Sequence, residues 1–137
     1  MDTKSGGRIL IVDDDATSRK VLVRTLSAAG YECYESESGS DALKLVRREQ
    51  PALLILDYDM PGLDGAEVLK RLRKDHDLAV AQIPAIMLTG HGGEESEVLC
   101  LEAGADDFVT KPFDADELRA RLRVAERILS LQADANS

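Results

Sequence analysis

Apolar residues along this chain follow two alternating rhythms. Short unbroken runs, "RILIVD" at 8–13, "ALLILD" at 52–57 and "IPAIMLT" at 83–89, read as strands. Between them, apolar positions recur every three or four residues, the spacing of helices. The first helix follows "DDD", with Asp14 or Asp15 as its cap, Val21, Leu22, Leu26 and Ala29 along its stripe, and Gly30 as its stop. A short strand "YECYE" (31–35) leads to a second helix over about 41–48, carrying Ala42, Leu45 and Val46 and halted ahead of Pro51. Asp64, with Glu67 three residues on, has the form of a capping box and opens a third helix with Val68, Leu69 and Leu72 inward. A fourth helix runs from about Glu94 to Ala103 and stops at Gly104. "DFVT" (107–110) is a short fifth strand, and Asp114 with Glu117 repeats the box ahead of a last helix ending near Leu131.

Five strands alternating with five helices predict an α/β fold with a parallel sheet and right-handed crossovers. The lack of polar alternation in 52–57 fits a strand covered on both faces. The expected organisation is one domain over 8–131, between a disordered N-terminal tail (1–7) and a C-terminal tail (132–137). A length of 137 residues with 44% hydrophobic content suits one domain with its own core. Twenty-six acidic against 17 basic residues, a net charge of -9, argue against nucleic-acid binding by this domain. No apolar leader is present and no run approaches the roughly 20 residues that span a bilayer, so a cytoplasmic protein without membrane contact is expected. Cys33 and Cys100, far apart and outside any CxxC, are expected in or beside the core.

The polar residues add chemistry. Carboxyl ends of parallel strands share one edge, where open α/β sheets bind ligands. Asp13, Asp14 and Asp15 follow the first strand, Asp57 ends the third, Thr89 ends the fourth, and Lys111 follows the fifth. Clustered carboxylates raise one another's pKa unless a cation sits among them. Oxygen-only donors, with neither His nor Cys, suit a hard ion such as Mg²⁺. Asp13, Asp14 and Asp57 therefore form a candidate Mg²⁺ site, and Asp15 is either its neighbour or simply a helix cap.

The motifs "ILIVDDD", "LILDYDMPGLDG", "LTG" and "FVTKPF", in that order, resemble the receiver domain of bacterial two-component response regulators, the chemotaxis-regulator type among them, over about residues 8–130. The resemblance implies a flavodoxin-like (βα)5 three-layer sandwich with strand order 2-1-3-4-5. It makes Asp57 the phosphoacceptor, taking a phosphoryl group from the phosphohistidine of a sensor histidine kinase or a histidine phosphotransfer protein. Mg²⁺ would be held by Asp14 and Asp57, with Asp13 mainly through water and the Asp59 backbone carbonyl as a further ligand. Lys111 and the Thr89 hydroxyl would meet the remaining phosphoryl oxygens. The same resemblance implies a cis peptide at Lys111–Pro112, a glycine closing the loop at Gly65, and a switch made of Thr89 and Phe108. Many receivers carry tyrosine where Phe108 stands, and phenylalanine offers no phenolic hydroxyl.

The output face implied is the fourth helix, fifth strand and fifth helix, contacting a downstream effector or an output domain outside this chain, with dimerisation through that face as an option. Such a domain is not an enzyme in the ordinary sense, since it acts only on its own aspartate. Asp59 and His91, two residues beyond Asp57 and Thr89, are expected to tune the lifetime of the aspartyl phosphate. Leu118, Leu122, Ala125 and Leu129 step at coiled-coil-like intervals along the last helix, and Arg119, Arg123 and Arg127 read as a solvated stripe. Two rivals share parts of the pattern. Asp57-Tyr58-Asp59 also fits the DxD of haloacid-dehalogenase-like phosphatases, although there the DxD follows the first strand. A flavodoxin-type electron carrier shares the sheet, but three aspartates after the first strand would repel the flavin phosphate.

Overall fold

The computed structural model describes residues 7–90 and 94–136, with side chains of the last helix described through Ala125 and at Arg127. Alternate residues of each strand face opposite ways, and both sides of the sheet are apolar. In β1 (Arg8–Val12), Ile9 and Ile11 enter one core and Leu10 and Val12 the other. β3 (Leu53–Asp57) and β4 (Ala85–Thr89) repeat the division and are buried along their whole length. This double burial explains the unbroken apolar runs. With β2 (Glu32–Ser36) and β5 (Asp107–Thr110), all pairings are parallel and the order is β2-β1-β3-β4-β5, as expected.

Helices cover both faces, giving three layers. Leu22 and Leu26 of α1 (Ala16–Ala28) and Leu118, Leu122 and Ala125 of α6 (Ala115–Asn136) close one core. Ala42 and Val46 of α2 (Gly39–Glu49) and Val68, Leu69 and Leu72 of α3 (Gly65–Arg73) close the other, with Cys100 of α5 (Glu94–Glu102). Each fully buried aliphatic side chain contributes about 1.5–3 kcal/mol relative to exposure. Cys33 is half-buried and Cys100 buried, both as free thiols.

Several boundaries differ from the sequence pattern. Asp15, not Asp14, caps α1, its carboxylate accepting the Thr17 N–H at 3.3 Å. Val21 and Ala29 leave the stripe: Val21 is 44% exposed and Ala29 lies at the exposed helix end. The second helix starts earlier than 41 because Ser38 caps it, accepting from Asp41 N–H. A sixth helical turn, α4 (Leu78–Ala81), joins α3 to β4. Four residues show no periodicity, but the Asp77 carboxylate accepts Ala79 N–H, and Val80 and Ala81 are buried. The fourth and fifth predicted helices are thus α5 and α6. Helix α6 continues past Leu131 to Asn136, since "QADA" contains no residue that stops a helix. The expected tail at 1–7 falls almost wholly outside the described residues.

The amino edge of the sheet is fastened by Arg73 at the end of α3. Its guanidinium donates to the carbonyls of Ala81 (2.9 Å), Ile83 (2.7 Å) and Gly104 (2.9 Å), and reaches the Asp106 carboxylate at 3.3 Å. That carboxylate also accepts the Ala85 N–H at 2.9 Å. One side chain therefore satisfies three carbonyls from the connections into β4 and β5. Arg73→Met is expected to lower unfolding free energy by about 3 kcal/mol in urea titration, through the carbonyls it orphans. The carboxyl edge, at the far ends of the strands, should be unaffected.

Candidate functional site

Strand register brings the polar residues together. Val12 pairs with Leu56, so Asp13 and Asp57, the next residue of each chain segment, emerge side by side. Asp57 pairs with Leu88 and Thr89 with Thr110, which places Thr89 and Lys111 on the adjoining side. Asp13, Asp57 and Thr89 are buried, while Asp14 is exposed. One carboxylate oxygen from each of Asp13, Asp14 and Asp57 lies within 4.8 Å of the others.

Backbone donors orient these carboxylates. Asp13 Oδ1 accepts the Asp15 N–H at 2.9 Å, and Asp57 Oδ1 accepts the Asp59 N–H at 3.3 Å. Lys111 Nζ approaches Asp57 Oδ1 at 3.2 Å and Asp13 Oδ2 at 3.5 Å. The second distance is an ion pair without a hydrogen bond, and Asp13 Oδ2 is fully buried with no hydrogen-bond partner among the described residues. Two buried carboxylates thus share one ammonium.

The electrostatic consequence is asymmetric. Burial, reinforced by the Asp13 charge and opposed by Lys111, pushes Asp57 up to about 6. For Lys111, burial alone would lower the pKa, but the charges of Asp13 and Asp57 outweigh it and leave the ammonium favoured. An orphaned buried oxygen, three converging carboxylates and no nitrogen or sulfur ligand among them fit a hard divalent cation such as Mg²⁺.

The other candidate residues occupy distinct places. The Lys111–Pro112 peptide is cis. Gly65, the first residue of α3, does not have the left-handed backbone that strain at a non-glycine residue would imply. Its constraint is space, since a Cβ would lie 2.4 Å from the Asp57 carbonyl oxygen and 2.8 Å from Met87 Sδ. Asp64 caps α3 through the Glu67 N–H at 2.9 Å. The exposed Asp59 carboxylate accepts the Gly90 N–H at 3.4 Å, linking the loops after β3 and β4. Phe108 is half-buried against the α2–α3 core. His91 lies outside the described residues. Beside Lys111, a cavity of about 430 Å³ opens between Thr17, Ser18 and Val21 of α1 and Pro112 and Phe113.

The sequence pattern passed over Arg19. Its guanidinium donates to the Asp13 carbonyl at 2.7 Å and to Glu35 at 2.9 Å. An arginine in the first turn of a helix reads as solvated, and its partner at the end of β2 is 16 residues away, so no local signal marks the contact.

The raised Asp57 pKa has a stability consequence. An aspartate whose folded pKa exceeds that of the unfolded chain makes the folded state the stronger proton binder between about pH 4 and 6, so metal-free stability falls as pH rises through that window. Asp57→Asn removes the ionisation. The variant should be more stable than wild type at pH 7 without divalent ions, by on the order of 2 kcal/mol, with the gap closing toward pH 4. Thermal unfolding in chelator across that range measures it; equal stability at pH 7 would contradict the charge burial.

Comparisons with known proteins identify the family. Residues 9–123 match the family model described as the response regulator receiver domain. The chain is 45% identical over 122 residues to the phosphate regulon transcriptional regulatory protein PhoB of Pseudomonas aeruginosa, covering 89% of this chain and 52% of that protein. The chain spans about half the length of the curated relatives it matches. The receiver domain of Francisella response regulator 1452 superposes with a TM-score of 0.81 at 30% identity, covering 89% of this chain and 98% of that one. The Vibrio cholerae chemotaxis protein CheY4 does so with a TM-score of 0.81 at 28% identity, covering 88% and 99%. The fold is flavodoxin-like, and the haloacid-dehalogenase and flavin alternatives find no support in these likenesses. Among the described residues no helix is long and apolar enough to cross a membrane. The chain belongs to the response regulator receiver domain family.

Proposed function

We propose that this domain accepts a phosphoryl group on Asp57 from a sensor histidine kinase or histidine phosphotransfer protein, and relays the signal to a partner or an output domain. The observation that carries this reading is the meeting of Asp57 with Lys111 at 3.2 Å inside a cluster of three carboxylates at the strand ends. An Asp57 carboxylate oxygen forms the new P–O bond, the P–N bond to the donor imidazole breaks, and the ring keeps the electron pair and takes up a proton. Mg²⁺, when bound, would neutralise charge on the carboxylates and on one phosphoryl oxygen. Its ligands would be Asp14 and Asp57, Asp13 mainly through water, and the Asp59 carbonyl. Lys111 holds its charge against a second oxygen, and the Thr89 hydroxyl meets the third. The cavity beside Lys111 leaves an approach for the donor.

The switch follows from the same residues. Thr89 moves with the phosphoryl oxygen, and Phe108 follows from its half-buried place into the space beside it. The face altered is α5, β5 and α6, where Val98, Leu99 and Val124 are each 44% exposed and Leu101 is 49% exposed. Apolar side chains left in solvent on these elements support a protein partner or dimerisation there. The unit doing this is residues 8–131, acting in the cytoplasm and only on its own aspartate.

Incubation with Mg²⁺ and acetyl phosphate, read by intact mass, should give a single phosphoryl adduct in wild type and none in Asp57→Asn. Lys111→Met should slow formation about a hundredfold. An adduct that survives in Asp57→Asn, or that forms in chelator, would remove the assignment. In the same assay Asp59→Asn and His91→Ala should alter the decay of the adduct; unchanged decay would strip these residues of their tuning role.

A further inference from the structure

Besides its ion pair with Lys111, Asp13 is held by three hydrogen bonds. Its N–H donates to the Ser36 carbonyl at 3.1 Å, its Oδ1 accepts the Asp15 N–H at 2.9 Å, and its carbonyl accepts from Arg19 Nη1 at 2.7 Å. The first two contacts are local to the strand end and the loop. The third is a side chain one helical turn into α1. Nε of the same guanidinium donates to Glu35 Oε1 at 2.9 Å, so its two arms are committed in different directions. The Arg19 side chain is only 14% exposed, whereas Glu35 is 48% exposed. A planar guanidinium fork suits this double duty, which a single ammonium cannot reproduce.

The position of the Asp13 backbone decides where its buried Oδ2 lies, because Oδ1 is tied to the Asp15 N–H. Without Arg19, the Asp13 carbonyl would lose the charged donor at 2.7 Å, and the residue would settle where a new donor can be found. Oδ2 would then shift relative to Asp57 and Lys111.

We propose that Arg19, braced by Glu35, is a positioning residue for the cation site: it fixes the Asp13 carbonyl and so aims the Asp13 carboxylate at the place where Asp14 and Asp57 converge. The proposal rests on the receiver reading of that site. Its distinctive feature is a line of dependence running from the end of β2, through α1, to the acidic loop after β1.

The test is Mg²⁺ binding to the whole chain by isothermal titration calorimetry, for wild type, Arg19→Met, Glu35→Gln and Lys20→Met. Lys20 is exposed on the same helix and controls for the loss of one positive charge. Arg19→Met should weaken Mg²⁺ binding about tenfold and Glu35→Gln about threefold, with Lys20→Met within about twofold of wild type. With acetyl phosphate, the Mg²⁺ concentration giving half-maximal phosphorylation should rise in Arg19→Met and Glu35→Gln, while the rate at saturating Mg²⁺ stays near wild type. A folded Arg19→Met with wild-type Mg²⁺ affinity overturns the proposal, as does a Lys20→Met loss equal to that of Arg19→Met, which would reduce the effect to net charge. Should Arg19→Met not fold, Glu35→Gln decides by the same criterion. A wild-type chain that binds no Mg²⁺ would instead refute the receiver reading of the site, a separate outcome.

Discussion

Two buried carboxylates facing one ammonium set the terms for the whole carboxyl edge. Asp13 and Asp57 are withdrawn from water by the same apolar strands that place them, and Lys111 can neutralise only one of them. Charge burial is tolerable when each ion is paired and hydrogen-bonded. Here one oxygen of each carboxylate is tied to a backbone N–H, and one oxygen of Asp13 is left without a hydrogen bond. The imbalance is what a divalent cation would resolve, so the feature that burdens the metal-free site with charge also suits it to such an ion.

The two edges of the sheet therefore differ in kind. At the amino edge, Arg73 collects three carbonyls from two connections and leaves them satisfied. At the carboxyl edge, Arg19 performs a related task for a single carbonyl, but the residue it holds presents to the site an oxygen that meets Lys111 only at 3.5 Å. Guanidinium groups brace backbone at both ends, and only one end keeps free electrostatic potential for chemistry. The close approach at Gly65 belongs to the same economy of space, because the start of α3 sits directly against the backbone of the proposed nucleophile.

Helix α5 stands apart from the other helices. Of its apolar residues only Cys100 is buried, while Val98, Leu99 and Leu101 face solvent. On the same side of the sheet, α2 and α3 commit their apolar stripes to the core. A helix with few buried anchors can shift at low cost, and it flanks β5, which carries Phe108 and leads to Lys111. The exposed apolar surface of α5 and the charged site thus meet on one short strand.

Much of this was legible in the chain itself. The apolar runs ending in Asp13, Asp57 and Thr89 specify buried parallel strands whose ends coincide, because a strand covered on both faces shows no alternation and a parallel sheet gathers its carboxyl ends. The capping roles of Asp15 and Asp64 are likewise local, needing only a carboxylate two or three residues from its N–H donor. Tertiary structure decided the rest. Val21 faces solvent despite its helical spacing, since periodicity gives the stripe but not its width. Turn α4 depends on Asp77 and on burial of Val80 that no period announces. Arg19 and Arg73 read as surface cations until the fold supplies carbonyls up to 31 residues away, and the meaning of a long cationic side chain lies in which acceptors reach it, which only packing in three dimensions determines.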